Sequence, residues 1–327
     1  MKPFLYRILL YLILFGVLVS LYILLIYFRP DLVDAFYYRF TTPKSHSLII
    51  GGSRAAQGIK PEVINKLICT EENKIINHAF ALGPSSIGPN YLREIAQKID
   101  KSSKNGLFVI SLVPWLLTID SSEVDDSTKF YEVEKKLFVG NLKSSSSNPN
   151  FEYLTDHWVN KFEPFVRMFK YTVSYEGISV LHADGWLEVT TDMDSIENQK
   201  RIKRSTEEYW TKKQKFSQIR FEYLDKIIRY CDKYGDVVII RMPVTIGMAE
   251  IENTKFPEFD NMIQEIADKH GIPYFNYFGL SGQFLTVDTH HLYKKESERF
   301  TYLLCDSLQS YFSSHPSAFK LASAVRN

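Results

Sequence analysis

The sequence has little cysteine, no excess of charge of one sign, and only one long hydrophobic run. Its three cysteines (Cys69, Cys231 and Cys305) are an odd number without metal-like spacing, so they allow at most one bridge. Cys231 lies in a predicted amphipathic helix and Cys305 near the C-terminal one, which predicts buried structural thiols. The 39 basic residues nearly balance the 38 acidic ones, and the aromatic residues are spread along the chain, so nothing predicts a nucleic-acid partner. No internal repeat is present. The chain, at 327 residues, is still long enough for a sizeable buried core.

The one long hydrophobic run covers residues 8–28 (ILLYLILFGVLVSLYILLIYF) and contains no charge. At about 1.5 Å per residue, a helix of this length crosses the roughly 30 Å hydrocarbon core of a bilayer. A cleaved signal peptide is the alternative, but the run is longer than the usual apolar core and no small-x-small site follows it. Because Lys2 and Arg7 precede the run, we expect everything after it to lie outside the cytoplasm. We therefore predict an anchor at 1–29 and a juxtamembrane linker at 30–46.

Beyond the linker, short apolar runs alternate with stretches of helical periodicity. The apolar runs predict five strands that start near residues 47, 74, 107, 236 and 272. Helices are predicted over 86–100, 258–270 and 294–312, and another is predicted to start at the capping pattern Ser205-x-x-Glu208. Continuous apolar strands that alternate with helices indicate an α/β fold with a parallel sheet covered on both faces.

The stretch over 120–203 interrupts this alternation. It contains SSSSNPN at 144–150 and many aromatic residues, but it has few clean periods. We interpret it as an insertion that caps the functional site. The globular domain is accordingly predicted over 47–315, followed by a C-terminal tail at 316–327.

Ser53 follows the first predicted strand directly, within LIIGGSRAAQG at 48–58. Ligands of parallel sheets bind beyond the carboxyl ends of the strands. A serine on a sharp strand-to-helix turn exposes its hydroxyl there, next to a helix N-terminus that favours developing negative charge. The alternative interpretation is a Gly-Gly-Ser turn in which Ser53 only caps the following helix.

The segment VDTHHL at 287–292 contains the partners that a nucleophilic serine needs. A serine hydroxyl is a weak nucleophile until an imidazole accepts its proton, and the imidazole in turn needs a carboxylate. The spacing of Asp288 and His291 lets one turn present both side chains. His290 points elsewhere, and the Asp-x-x-His register favours His291 as the base. An exposed polar turn is the alternative, and because no further ligand cluster supports metal binding, we predict no metal and no cofactor.

These segments resemble conserved blocks of the SGNH (GDSL-like) hydrolase superfamily. LIIGGSRAAQG resembles the first block, which carries the nucleophile, and VDTHHL resembles the last block. NHAFALGPSS at 77–86 resembles the second block, whose glycine donates an N–H to the oxyanion. The resemblance implies a three-layer α/β/α sandwich, flavodoxin-like, with a five-stranded parallel sheet in the order 2-1-3-4-5. It implies catalytic roles for Ser53, Asp288 and His291, and oxyanion donors at Ser53 and Gly83.

The third block of the family is not matched, because SLVPWLLT at 111–118 lacks its asparagine, another oxyanion donor. The chain resembles divergent membrane-anchored SGNH proteins of bacterial envelopes, several of which work beside multi-span O-acyltransferases. This implies a serine ester hydrolase or O-acyltransferase that acts on acylated envelope glycans or polymers through an acyl-serine. The implied location is the bacterial cytoplasmic (inner) membrane, with a single pass and an extracytoplasmic domain. The alternative is a catalytically impaired SGNH-like scaffold, or a partner subunit of a membrane acyltransferase complex; a lipase has only the anchor in its favour.

Overall fold

The computed structural model describes residues 2–83, 86–102, 104–126, 137–157, 161–173 and 179–315, together with Ser317, Phe319 and Leu321. The described α-helices are α1 (Lys2–Phe28), α2 (Ser53–Gly58), α3 (Pro61–Leu67), α4 (Pro89–Lys98), α5 (Phe151–Asp156), α6 (Glu163–Val173), α7 (Ser195–Thr211), α8 (Gln218–Cys231), α9 (Ile246–Lys255), α10 (Phe259–His270) and α11 (Lys294–Ser314). The described strands are β1 (Ser47–Gly51), β2 (Ile75–Asn77), β3 (Gly106–Ser111), β4 (Thr118–Asp120), β5 (Ser179–Leu181), β6 (Leu187–Val189), β7 (Gln214–Phe216), β8 (Gly235–Arg241) and β9 (Tyr274–Asn276).

Five of these strands form one parallel sheet in the order β2-β1-β3-β8-β9. The predicted α/β fold, the parallel sheet and its strand order are therefore confirmed, and each strand begins close to its predicted position. Gly51 pairs with Ser111, and Ser111 pairs with Ile240, so the three central strands end at the same level. This common carboxyl edge is where the site is built.

Alternate residues of the central strands pack into two separate hydrophobic clusters. Leu48 and Phe108 join one cluster, to which α4, α8 and α10 contribute, whereas Ile49 and Val109 join the other, with α2, α3 and α11. Because successive side chains of a strand point to opposite faces, these clusters lie on the two faces of the sheet. Helices thus cover both faces, as the continuous apolar strands predicted.

The prediction that a helix starts at Ser205 and continues to Gly235 is wrong. Ser205 lies inside α7, whose N-cap is Asp194, and the chain then forms β7 before α8 begins after its own N-cap, Ser217. The hydroxyl of Ser217 accepts the N–H of Arg220 at 3.1 Å. Phe216 of β7 packs against the same hydrophobic cluster as the apolar residues of α8. The helical spacing of apolar residues therefore continued across the break, and it predicted one continuous helix.

The predicted insertion lies outside the five-stranded sheet wherever it is described. It supplies α5, α6, the antiparallel β5–β6 hairpin and the first half of α7, so its predicted boundary at residue 203 falls inside a helix. β4 pairs separately with β7. The predicted tail at 316–327 lies mostly outside the described residues.

The N-terminal helix has the length and composition of a membrane span. The segment Pro3–Phe28 has a mean hydropathy of 2.8, and its most apolar stretch is not buried against the rest of the protein. The predicted linker that follows forms two short 3₁₀ turns, Pro30–Leu32 and Tyr37–Phe40, and the side chains of Tyr37 and Phe40 are fully buried. The linker segment is therefore packed into the core. The three cysteines are free and buried, as predicted for Cys231 and Cys305.

Candidate active site

Ser53 stands at the turn between β1 and α2, on the carboxyl edge of the sheet. As the first residue of α2, its N–H belongs to the donors that have no partner inside a helix. Gly51 is required in this turn, because a Cβ there would lie 2.7 Å from the backbone oxygen of Ser111. The hydroxyl of Tyr91 fixes the turn, since it accepts the N–H of Gly51 at 2.9 Å and lies 3.0 Å from the carbonyl oxygen of His78.

Asp288 and His291 lie on the loop of residues 286–292, which we call the His291 loop. The N–H of Val287 closes it by donating to the carbonyl of His291 at 2.9 Å. Asp288 Oδ1 accepts the N–H groups of His290 and His291, both at 2.9 Å. Such a turn, built by an aspartate on its own following backbone, orients the carboxylate towards the His291 ring.

The three predicted side chains form one hydrogen-bonded chain. His291 Nε2 lies 2.8 Å from Ser53 Oγ, and His291 Nδ1 lies 2.7 Å from Asp288 Oδ2. Because a carboxylate only accepts, Nδ1 carries the proton, and Nε2 of the neutral ring accepts from the serine hydroxyl. Both distances fall within the range of about 2.6–3.2 Å that a general base needs. It is His291, not His290, whose ring reaches Ser53.

The protonation states of Asp288 and His290 are consistent with the hydrogen bonds of the triad. Burial raises the pKa of Asp288, but the electrostatic attraction between its carboxylate and the His291 ring, their hydrogen bond and the neighbouring His290 outweigh burial and hold the pKa of Asp288 well below its ordinary value. Asp288 is therefore a carboxylate at neutral pH. Burial, reinforced by the adjacent His291, lowers the pKa of His290 well below its ordinary value, so His290 is neutral there.

His290 packs beside the hydrogen-bonded series Ser53–His291–Asp288 but makes no hydrogen bond to it. The ring of His290 lies 4.1 Å from that of His291 and 5.0 Å from that of Tyr209, and its Nδ1 is 3.9 Å from Asp288 Oδ1, too far for a hydrogen bond. The ligand atoms of Asp288, His290 and His291 lie within 4.8 Å of one another, close enough to hold a metal ion. Since both nitrogens of His291 are already engaged, by Asp288 and Ser53, a metal would have to displace one of these bonds.

A cavity of about 20 Å³ adjoins the serine, and we call it the Ser53 cavity. By this measure it has room for roughly one water-sized group. Its lining includes Ser53, Arg54, Ser111, Tyr209 and His290. Among the described residues, three buried atoms of this lining have no hydrogen-bond partner, namely Arg54 Nη1, Ser111 Oγ and His290 Nδ1. Because buried polar atoms are nearly always paired, this group of three fits a polar atom of a ligand.

A buried carboxylate holds Arg54 in place. Glu252 on α9 accepts from Arg54 Nη2 at 2.5 Å, from the indole N–H of Trp115 at 3.0 Å and from Arg241 Nη2 at 2.9 Å. Burial raises the pKa of Glu252, but the two guanidinium groups outweigh it and lower the pKa. Arg54 is only 4% exposed, and this pairing leaves its other terminal nitrogen for the Ser53 cavity.

Gly83, the second predicted oxyanion donor, lies in an exposed turn whose carbonyl accepts the N–H of Ser86. The described lining of the Ser53 cavity includes its neighbour Leu82 but not Gly83 itself. The next two residues, Pro84 and Ser85, lie outside the described residues. The role of Gly83 stays a prediction.

A larger cleft of about 280 Å³ borders the outer side of His290 and Tyr209. Its other lining residues are Arg201, Arg204, Ser205 and Glu208 of α7, together with Asp288. Helix α7 is hydrogen-bonded to the His291 loop, since Arg201 Nε donates to the carbonyl of Val287 at 3.0 Å. The end of the predicted insertion thus forms one wall beside the triad.

Four residues of the site were not predicted from the sequence, namely Arg54, Ser111, Tyr209 and Glu252. Arg54 follows Ser53 directly, and Ser111 lies near the carboxyl end of a predicted strand, so both could have been predicted to lie close to Ser53. Tyr209 and Glu252 reach the site only through the packing of α7 and α9, and nothing in their local sequence marks them.

Comparison of the chain with protein-family models, with curated proteins and with solved structures finds no match. We therefore infer a function from the geometry of the site.

Proposed function

We propose that the protein is a membrane-anchored serine ester hydrolase or O-acyltransferase of the SGNH type, with Ser53 as nucleophile. The observation that carries the proposal is the continuous hydrogen-bonded chain from Ser53 Oγ through His291 to Asp288, at 2.8 Å and 2.7 Å. The parallel sheet order and the position of the serine directly after β1 are those that the SGNH resemblance implies. In this proposal the helices on the two faces are the outer layers of the three-layer sandwich.

The reaction follows from the proton positions. Ser53 Oγ attacks the acyl carbonyl of an ester while its proton passes to His291 Nε2, and the Asp288 carboxylate stabilises the imidazolium. The same proton then goes to the oxygen of the departing alcohol, which leaves an acyl-serine. Water or a glycan hydroxyl then attacks the acyl-serine and gives its proton to Nε2. That proton passes to the departing Ser53 Oγ, and the acyl group leaves as a free acid or as a new glycan ester. Hydrolysis and transfer therefore differ only in the acceptor.

The Ser53 cavity is the proposed oxyanion site. The substrate oxygen gains negative charge in the transition state, and preorganised donors in a buried site stabilise it strongly. The N–H of Ser53, the free Nη1 of Arg54 and the hydroxyl of Ser111 are the donors we assign. Arg54 and Ser111 would then replace the asparagine of the family's third block, with Gly83 as a further candidate.

The acceptor would approach through the cleft that Arg201 and Arg204 border, since the Ser53 cavity itself holds only about one oxygen atom. An acylated envelope glycan or polymer on the outer face of a bacterial cytoplasmic membrane fits an anchored enzyme of this kind. A multi-span O-acyltransferase in the same membrane would be the natural source of its acyl groups.

Labelling with a fluorophosphonate tests the proposal, because this probe phosphonylates a serine only where a base activates it. We expect the full-length protein in membranes to be labelled at Ser53, and the Ser53→Ala and His291→Ala variants to be unlabelled. Ser314→Ala, at the exposed end of α11, is the matched control and should be labelled like the wild type. Mass spectrometry of the labelled peptide identifies the modified residue.

The scaffold alternative makes the opposite prediction. The absent third-block asparagine favours it, and it requires a folded protein whose Ser53 does not react. If the wild type unfolds cooperatively but neither takes up the probe nor hydrolyses a chromogenic acyl ester, the enzyme proposal fails and the scaffold stands.

A further inference from the structure

Helix α6 presents its apolar side outward, the reverse of what a helix on a water-soluble domain does. Phe162, Phe165, Val166 and Phe169 recur at helical spacing along one side, and Phe165 and Phe169 are 54% and 70% exposed. The polar side faces the protein: Arg167 is only 13% exposed, pairs with Glu163 at 3.0 Å and donates to the carbonyl of Ser179 at 2.8 Å. A soluble domain rarely leaves such an apolar stripe to water.

The stripe continues the surface of the apolar helix α1. The ring of Tyr22 on α1 stacks on that of Phe165, with centroids 5.6 Å apart, and the Tyr22 hydroxyl donates to the carbonyl of Lys161 just before α6. Both helices also pack on the turn Pro30–Leu32. At about 1.5 Å per residue, Tyr22 lies roughly 9 Å inside the end of α1 at Phe28. A helix that contacts α1 at this depth stands at the level of the outer lipid headgroups and upper acyl chains whenever α1 spans the bilayer.

We propose that α6 is a second membrane contact, an interfacial helix whose Phe165, Val166 and Phe169 insert into the outer leaflet beside the anchor. This rests on α1 being the anchor and not on the catalytic proposal. An interfacial helix with one apolar and one polar side lies in the plane of the membrane surface, with its apolar side among the lipids. With both α1 and α6 in contact with the membrane, the domain has a fixed orientation, and the site is held at a defined angle to the membrane. A single span would leave the domain free to rotate and tilt.

Single introduced cysteines carrying an environment-sensitive fluorophore test this in the full-length protein. The three native cysteines are buried, so labelling is selective for the new position. The protein is reconstituted in vesicles of phosphatidylcholine and phosphatidylglycerol, with nitroxides placed high on the lipid chains. Phe169→Cys reports on α6, Leu14→Cys on the anchor, and Tyr302→Cys on an exposed aromatic position of α11, 45% exposed in the folded chain.

We expect the label at residue 169 to emit at shorter wavelength than that at 302, to be quenched by the lipid nitroxides and to be protected from aqueous iodide. If the label at 169 behaves like that at 302 while the label at 14 is quenched by lipid, α6 lies in water and the proposal is wrong although the anchor stands. If the label at 14 also escapes lipid quenching, the anchor and the proposal fail together. Protection of 169 from both quenchers would mean that protein, such as a second copy, covers the stripe, and would overturn the lipid assignment.

Discussion

At the residue scale, the members of the proposed triad depend on one another for their chemical states. Asp288 sets which nitrogen of His291 carries the proton, and that choice leaves the other nitrogen free to accept from Ser53. Because the three act as a unit, removing a second member should add little once the first is gone. His290 lacks these bonds, although it is adjacent in sequence.

The proposed oxyanion donors give a second prediction at this scale. Ser111→Ala removes a buried hydroxyl that has no partner among the described residues, so the fold should keep its thermal midpoint. Loss of one oxyanion donor should slow fluorophosphonate labelling of Ser53 by about 100-fold. The measurement is the second-order rate constant of labelling, compared at equal protein concentration.

Arg54→Lys is the companion variant, because it keeps a positive charge for Glu252 but lacks the second terminal nitrogen. We expect a similar loss of labelling rate with little loss of stability. Wild-type labelling rates in both variants would show that the Ser53 cavity does not receive the oxyanion.

At the element scale, the break between α7 and α8 depends on one cap. Ser217 is buried, accepts the N–H of Arg220, and donates to Asp125 at 2.7 Å. Ser217→Ala should therefore cost about 1 kcal/mol of folding free energy, since an N-cap serine typically contributes that much. Ser205→Ala is the matched control, because Ser205 lies within α7, where alanine is the better helix former.

Thermal unfolding followed by circular dichroism distinguishes the two variants. For a domain of this size, about 1 kcal/mol corresponds to a fall of roughly 2–4 °C in the midpoint, expected for Ser217→Ala only. A larger fall in Ser205→Ala would instead support the helix boundary that the capping pattern indicated.

At the scale of the whole molecule, a group of buried charges joins the linker, helix α4 and the insertion. The ammonium of Lys98 donates to the carbonyls of Arg39, Thr42 and Ser145, at 2.6, 2.7 and 2.8 Å. Arg39 in turn donates to the carbonyl of Gly185 at 2.7 Å. Burial lowers the pKa of Lys98 to about 7 and that of Arg39 to about 10. The anchor is thus connected to the domain through a buried, ordered segment.

His78 in this region makes folding sensitive to acid. Its Nε2 lies 2.9 Å from Glu94 Oε1, and burial lowers its pKa from 6.5 to about 4. Between these pH values the unfolded chain binds a proton that the folded chain does not, so stability falls as pH drops through this window. At about 1.36 kcal/mol per pKa unit, the folding free energy lost across this whole window is about 3 kcal/mol.

Midpoints of thermal unfolding at pH 7 and pH 5 measure this effect above the titration range of most carboxylates. His78→Gln keeps a neutral donor for Glu94 but does not titrate, so it should lose less stability than the wild type over this range. His182→Gln, which changes a half-exposed histidine paired with Glu188, should lose as much as the wild type. Equal losses in all three proteins would rule out His78 as the source.

Some features were predictable because local sequence alone determines them. Short continuous apolar runs that end at a turn, such as Leu48–Ile50, are typical of strands buried on both faces, and their alternation with helices leads to a parallel sheet with one functional edge. The uncharged run of α1 and the Asp-x-x-His spacing are likewise local, and so the contact of Asp288 with His291 could be expected from one turn of chain.

Other features depend on residues far apart in the chain, and only the tertiary structure decided them. The helical period of 3.6 residues did not reveal that β7 separates α7 from α8, because Phe216 of β7 packs, partly buried, against the same core as the residues of α8. Glu252 reaches Arg54 across 198 residues, and nothing near either residue records the pairing. The outward apolar side of α6 is equally invisible in the sequence, since periodicity shows that a helix has two sides but not which of them faces the protein.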